Sequence, residues 1–336
     1  MRACLLVPDL WPPPGMEDAA RGLRLPGLEL LLGKGSVTVS AGASFEDWLF
    51  RRFGCQRAGD WPVAPVTLLA DGTDPGPAFW LRADPVCLRA EGARLVLADS
   101  AAFAISAEEA EALAQALNRH FHEDGLEFRA LRPERWYLRL AAAPAITTHA
   151  LPEAAGRSVD ECLPAGPDAL RWHRLLNEAQ MLLHRHPVNE AREERDAPPV
   201  NSVWLWGGGR LPQAVSAPFA AAWNDEPLAA GLARLAGIPA RPLPACGAEW
   251  LREAAEGEML LVLDGLRAPA RLGDAFAWRE TVQALEKSWF APLAAALQAK
   301  RLAGIRLASP GGAGSRELAV EAADLRKFWR GPKRLG

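Results

Sequence analysis

The stretch His186-Pro187-Val188-Asn189-Glu190-Ala191-Arg192-Glu193-Glu194-Arg195-Asp196-Ala197-Pro198-Pro199-Val200-Asn201-Ser202-Val203-Trp204-Leu205-Trp206-Gly207-Gly208-Gly209 decides how the chain is read. Charged and amide groups crowd its first half; an apolar run from Val203 to Trp206 then breaks into three glycines. Trp204 and Trp206, two positions apart, share one face of a strand and read as core packing. A strand that ends in a flexible turn is where open α/β sheets hold ligands. Gly207-Gly208-Gly209-Arg210 can cradle a phosphate with backbone N–H groups, Arg210 adding charge, or can simply close a tight turn. Asn189, Arg192, Glu193, Arg195 and Asn201 lie between Pro187 and Pro198-Pro199. Two readings stay open for them: forked hydrogen bonds to a small phosphorylated or carboxylate ligand, or a charged loop paired with itself.

Working outward, several short apolar runs end in Asp or Gly, the pattern of buried strands whose loops carry chemistry. They are Cys4 to Val7 before Asp9, Val66 to Leu69 before Asp71, Leu95 to Leu97 before Asp99, and Met259 to Leu263 before Asp264. Each Asp is either a metal ligand or an ordinary turn former. Ser106 and Glu109 form a capping box that opens a helix with Ala110, Leu113, Leu117 and Phe121 on its apolar face. A second helix is expected from about 168 to 184, with Trp172, Leu175, Leu176, Ala179, Leu182 and Leu183 on one side. A third runs from Phe276 to about Ala299, with Val282, Leu285 and Trp289 inward; Pro292 either kinks it or opens a new helix. Glu134 to Leu140 alternates as a strand does.

At 336 residues the chain has room for two domains, and 49% hydrophobic with 24% charged residues is the balance of a soluble globular protein. A net charge of −3 lacks the basic field that nucleic acid or a membrane surface requires, so neither is expected as a partner. No stretch approaches the roughly 18 apolar residues of a membrane span, and the apolar run at the start is too short for a signal peptide. Cys4, Cys55, Cys87, Cys162 and Cys246 are odd in number and contain no Cys-x-x-Cys, which reads as reduced thiols in a cytoplasmic protein. His120-x-His122 and His184-x-His186 lack a third ligand at useful spacing. No His-Glu-x-x-His or Gly-x-Ser-x-Gly occurs, and Gly311 to Gly314 reads as a loop. Positive charge is almost entirely Arg, which suits forked carboxylate or phosphate recognition but follows equally from genome composition.

On these residues the chain resembles the archaeal-type, cofactor-independent phosphoglycerate mutases of the alkaline phosphatase superfamily, and among them the shorter bacterial regulatory protein RpfE family. The stretch from His186 to Gly209 is similar to the mutase pattern His-Pro-x-Asn, Arg, then Asn-x-x-x-x-Trp-Gly-x-Gly. Gly76 to Asp84, running on to Ile105–Leu113, resembles the family's inserted domain, and Met259 to Asp274, leading to Glu286, its metal-binding core. The resemblance implies an α/β fold: an alkaline-phosphatase-like core sheet flanked by helices (1–62 and 151–336) with an inserted α+β domain (63–150). It also implies two divalent ions, a Ser nucleophile, and ligands from Asp, Asp-x-x-x-His and Asp-His motifs.

This chain departs from those expectations. Asp9 stands where a first Asp is expected, and no nucleophile follows it before Leu25. Asp264 is not followed by a His, no His occurs after position 186, and Ala308-Ser309-Pro310-Gly311-Gly312 replaces the last Asp-His. Phosphoryl transfer between two metals needs both cations, and its covalent step needs the nucleophile. The expectation is therefore a non-catalytic regulatory or ligand-sensing protein that uses no cofactor. Arg82, Arg192 and Arg210 would grip a phosphorylated or carboxylate small molecule, Asn189 and Asn201 would orient it, and Trp206-Gly207 would form the turn. One rival is an active metal-dependent mutase or phosphatase rebuilt around Asp9, Asp264 and Asp274. Another is a scaffold for a protein partner.

Overall fold

The computed structural model describes residues 1–92, 94–100, 102–311 and 314–335. The strands are β1 (Arg2–Leu6), β2 (Ser36–Ser40), β3 (Phe79–Glu91), β4 (Arg94–Ala98), β5 (Glu127–Arg132), β6 (Arg135–Leu140), β7 (Ser202–Gly209), β8 (Ala221–Trp223), β9 (Ala240–Arg241), β10 (Glu258–Val262), β11 (Gly304–Ser309) and β12 (Ser315–Glu321). The helices are α1 (Pro26–Lys34), α2 (Phe45–Arg52), α3 (Val63–Ala70), α4 (Ala107–His120), α5 (Leu151–Ala154), α6 (Ala169–His184), α7 (Pro187–Glu193), α8 (Pro227–Leu235), α9 (Gly247–Glu253), α10 (Arg267–Leu272), α11 (Ala275–Leu285) and α12 (Ala291–Gln298). They form two compact units, residues 1–56 with 214–336, and residues 57–213.

The first unit is built on a seven-stranded sheet of order β2-β12-β11-β1-β10-β8-β9. β1 lies between β10 and β11, parallel to both; β8 and β9 continue the parallel run, while β12 and β2 are antiparallel. A strand covered on both faces reads as an unbroken apolar run, which is why Cys4–Val7 and Met259–Leu263 stood out. Ala3, Leu5, Met259, Leu261 and Leu318 enter one core with α1, α9, α11 and α12. Glu317 alternates with Leu318 and so faces the other way. There it accepts from Trp48 Nε1 at 2.9 Å and from Arg52 at 2.9 and 3.0 Å, which fastens α2 to the opposite face.

The expected helix from Phe276 to Ala299 is two helices joined by one π-helical turn at Glu286–Phe290, with Pro292 in the first turn of α12. The widened turn turns the Glu286 carboxylate onto the N-terminus of α1, where it accepts from the Gly27 and Leu28 amides at 2.7 and 3.1 Å. That approach is close: a Cβ on Gly27 would lie 2.6 Å from the backbone of Ala291.

The second unit carries an antiparallel sheet of order β4-β3-β6-β5, with β7 also paired to β3. α4 and α6 pack on one face through Leu113, Leu117, Trp172, Leu176 and Leu183; Ala64 and Leu68 of α3 pack with Trp80 and Tyr137 in a separate cluster. The capping box at Ser106 and Glu109 is present. Two expectations are corrected. Val66–Leu69 is helix, because four apolar residues do not distinguish strand from helix and Thr67 Oγ1 donates back to Val63 O at 2.9 Å. Gly207–Gly209 belong to β7 itself, in an antiparallel sheet rather than at the carboxyl end of a parallel one. Residues 151–213 pack in the second unit, where β7 pairs with β3 and α6 joins its core.

Gly27→Ala should lower the unfolding free energy by about 1–3 kcal/mol, as overpacking against backbone does, read from the midpoint of a urea transition. An unchanged midpoint would contradict the close approach of α1 to α12.

Candidate functional site

In the second unit, each residue expected to hold a ligand has a partner within the protein. Arg192, 1% exposed, donates Nε to Pro198 O at 2.8 Å, Nη1 to Glu109 Oε2 at 2.7 Å and Nη2 to Ala104 O at 2.9 Å. Glu109 also accepts from Arg195 and from the Ser106 amide, so one carboxylate caps α4 and anchors the segment after α7. Burial raises the Glu109 carboxyl, but the Ser106 amide and the two guanidinium groups hold it below its ordinary value. Asn189 donates to Leu183 O and Val200 O at 2.8 and 2.9 Å and accepts from Val200 N at 2.8 Å. Asn201 exchanges two hydrogen bonds with the backbone of Leu88, as a paired strand residue would. Arg210 donates to Pro77 O. The tripeptide Gly207–Gly209 serves close packing: added Cβ atoms would lie 2.8 Å from Val63, 2.7 Å from Leu81 and 2.5 Å from Pro62.

Arg82 is sandwiched between the rings of Tyr137 and Trp206, 5.4 and 5.3 Å from their centroids. Its Nε and Nη2 donate to Asp84 Oδ1 at 3.0 and 2.6 Å. Asp84 also accepts from Trp206 Nε1 at 2.7 Å and from the Trp136 amide at 3.2 Å. Arg82 and Trp206 therefore meet around a buried carboxylate.

The first unit concentrates a different set of groups. Where β1, β10, β8 and β11 end, the parallel sheet presents Asp9, Asp264, Asn224-Asp225-Glu226 and Ser309 at one edge, the edge at which open parallel sheets bind ligands. Arg267, in the first turn of α10, donates Nη2 to Glu46 Oε1 at 2.9 Å and stacks 4.1 Å from the Phe45 ring centroid. Burial works against its charge, yet Glu46, Glu226 and Asp264 together hold its pKa above the ordinary guanidinium value. Burial pushes the Glu226 carboxyl up to about 7, with Arg267 and the Ala229 and Leu228 amides opposing. Asn224 is buried, and neither polar atom of its carboxamide has a partner among the described residues.

Other groups at this edge are engaged. Asp225 accepts from Leu243 N at 3.2 Å, Ser309 Oγ from Leu10 N at 3.1 Å, and Asp274 caps α11 by accepting from Ala277 N at 2.9 Å. Asp9 has a left-handed backbone (φ 57°), its carbonyl accepts from Trp278 Nε1 at 2.9 Å, and a Cβ on Gly311 would lie 2.4 Å from its Oδ1. Gly312 and Ala313, part of the expected loop, lie outside the described residues. The donor set does not fit the two divalent ions that the resemblance implies. A guanidinium already sits among the acids, and among the described residues no three His, Cys, Asp or Glu side chains are grouped to hold a metal. The histidine pairs serve elsewhere: His120 meets Glu178 at 3.4 Å, and His186 Nδ1 caps α7 by accepting from Val188 N.

Sequence reading missed Glu46, Asn224, Glu226 and Arg267. Trp223-Asn224-Asp225-Glu226-Pro227, a polar triplet closing a short apolar run before a helix-starting proline, was the available signal.

With this geometry in place, the fold is a mixed α/β one, its central sheet mostly parallel. A solved structure, that of the PH0037 protein from Pyrococcus horikoshii, superposes with a TM-score of 0.54 at 13% identity, over 95% of this chain and 87% of that one. Residues 77–189, all within the second unit, match the family model of 2,3-bisphosphoglycerate-independent phosphoglycerate mutase. A probable mutase of that name from Geobacter sulfurreducens is 41% identical over 64 residues, 19% of this chain and 16% of the relative. The mutase of Methanosarcina mazei is 29% identical over 120 residues, 35% of this chain and 30% of the relative. The chain is thus phosphoglycerate-mutase-like in its second unit, and the aligned segments span less than a third of these curated relatives. Among the described residues no helix is long and apolar enough to cross a membrane.

Two measurements check the site. Arg192→Ala should cost about 3–5 kcal/mol, the scale for stranding a partly buried carboxylate, in chemical denaturation; a variant of wild-type stability would contradict the structural role. Glu226→Gln tests the raised carboxyl. Its folded value near 7 exceeds the ordinary 4.5, so the fold favours the protonated form and wild type loses stability as pH rises between those values. The variant should match wild type near pH 4.5 and gain on it up to about pH 7, by roughly 1–3 kcal/mol at most. A stability difference that does not change with pH would contradict this.

Proposed function

We propose that this phosphoglycerate-mutase-like chain is a non-catalytic regulatory protein that acts through protein contacts. The observation carrying the reading is the Arg267 guanidinium set among Glu46, Glu226 and Asp264 at the edge where phosphoryl-transfer cations would have to sit. A fixed positive charge repels an incoming divalent cation, and this one is ion-paired with Glu46 and lies within electrostatic reach of Glu226 and Asp264. With a guanidinium in that position, the edge lacks the paired cations that a metal-dependent phosphoryl transfer draws on.

A protein-contact role is favoured over anion sensing by the partners that the arginines already have. Arg82, Arg192 and Arg210 were the expected anion grip, and each guanidinium already donates to a protein acceptor. Freeing the buried Arg82 or Arg192 for a phosphate would leave a buried carboxylate short of its guanidinium, which costs a few kcal/mol. A second reading, an enzyme rebuilt around Asp9, Asp264 and Asp274, draws on the left-handed backbone at Asp9, since strained residues cluster at functional sites.

The test pairs an assay of 2- and 3-phosphoglycerate interconversion, with and without added Mn²⁺, with a thermal-shift titration using 3-phosphoglycerate. The proposal expects no turnover and no rise in melting temperature. Chelator-sensitive turnover would establish the enzyme reading. A saturable rise without turnover would establish ligand sensing, because a ligand that binds only the native state stabilises it.

A further inference from the structure

We propose that the free edge of β2 pairs with the same strand of a second copy, joining two seven-stranded sheets into one. β2 ends the sheet, hydrogen-bonds only to β12 among the described strands, and has all five residues exposed. Edge strands are ordinarily guarded by charge, proline, a bulge or brevity. Ser36-Val37-Thr38-Val39-Ser40 has no charged residue, no Pro and no Gly, its residues have high β propensity or tolerate strands well, and its register with β12 is unbroken.

The sequence selects the occupant. A twofold interface requires that if residue i meets j, then j meets i. Ser-Val-Thr-Val-Ser is a palindrome, so antiparallel pairing about Thr38 sets Ser36 against Ser40, Val37 against Val39, and Thr38 against its own copy. Like meets like at every level, with valines, 38% and 64% exposed, stacked across the join.

Charge fixes the direction. Lys34 Nζ donates to Lys327 O at 2.8 Å, and Arg330 donates to Lys34 O and Gly35 O at 3.2 and 3.1 Å, so a basic segment lies at the start of β2. Parallel pairing would bring two such segments within about 5 Å, the spacing of neighbouring strands. Antiparallel pairing places Lys34 level with Gly42 of the other copy, eight residues or roughly 27 Å from its Lys34. That exceeds the Debye length of about 10 Å at 0.1 M salt, so the repulsion is screened. The same basic segment presents Phe328 and Trp329, 88% and 68% exposed.

Sedimentation equilibrium over a concentration series should give twice the chain mass at the upper end. Val37→Lys with Val39→Lys, and Val37→Glu with Val39→Glu, should each be monomeric. An equimolar mixture of the two should regain the dimer mass, because the twofold sets each Lys against a Glu. Should these variants fold poorly, Thr38→Cys supplies an independent reading. Its Cα lies about 4.5–5.5 Å from its copy in such a pair, within disulfide reach, so mild oxidation should cross-link Thr38→Cys and not Val39→Cys. A wild-type chain that stays monomeric throughout, or charged variants that each still dimerise alone, would overturn the proposal.

Discussion

A guanidinium enclosed by protein must be answered by carboxylates, and Arg267 imposes that constraint on the carboxyl edge of the parallel sheet. Glu46 arrives from α2, Glu226 from the turn after β8, and Asp264 from the end of β10. Their convergence ties both sides of the sheet edge to the first turn of α10. Stripped of the cation, these acids would repel one another; with it, part of their negative charge is offset by a side chain of the protein itself. The carboxyl edge of the parallel sheet thus carries a positive charge supplied by a side chain.

The second unit follows the same logic with different parts. Asp84 gathers Arg82, Trp206 and the Trp136 amide, and Glu109 gathers Arg192, Arg195 and the Ser106 amide. Asn189 and Asn201 complete backbone pairing at the ends of α6 and β3. What looked like a recognition loop from its composition is a set of internal fasteners. They hold β7 in register against β3 while three glycines let it pass close to Val63, Leu81 and Pro62.

Much of this architecture was legible in the residues. The central strands announced themselves as unbroken apolar runs, α4 by its capping box, and α6 by a stripe at helical spacing, because these are local signals. The misreadings have physical causes. Four apolar residues at 66–69 fit a strand or a helix, and only the back-bond of Thr67 and the packing of α3 decide. Glycines at 207–209 satisfy a turn equally well as a strand that must approach other atoms closely. Glu46 and Arg267 stand 221 positions apart, and nothing along the chain says they touch. The arginines and asparagines between 189 and 201 have the chemistry to bind an anion; whether they are free to do so depends on Glu109 and Leu88, far off in sequence.

Whether Arg267 stands in for an ion at the sheet edge is decided by Mn²⁺ binding followed by electron paramagnetic resonance. Titrated into the wild-type protein, Mn²⁺ should stay free, its six-line signal growing in proportion to what is added. With Arg267→Ser the carboxylates lose their internal cation, and the signal should fall below that line as ions are taken up. Stoichiometric loss of the free signal in the wild-type protein would show that its carboxylates still serve a metal, and would contradict the account.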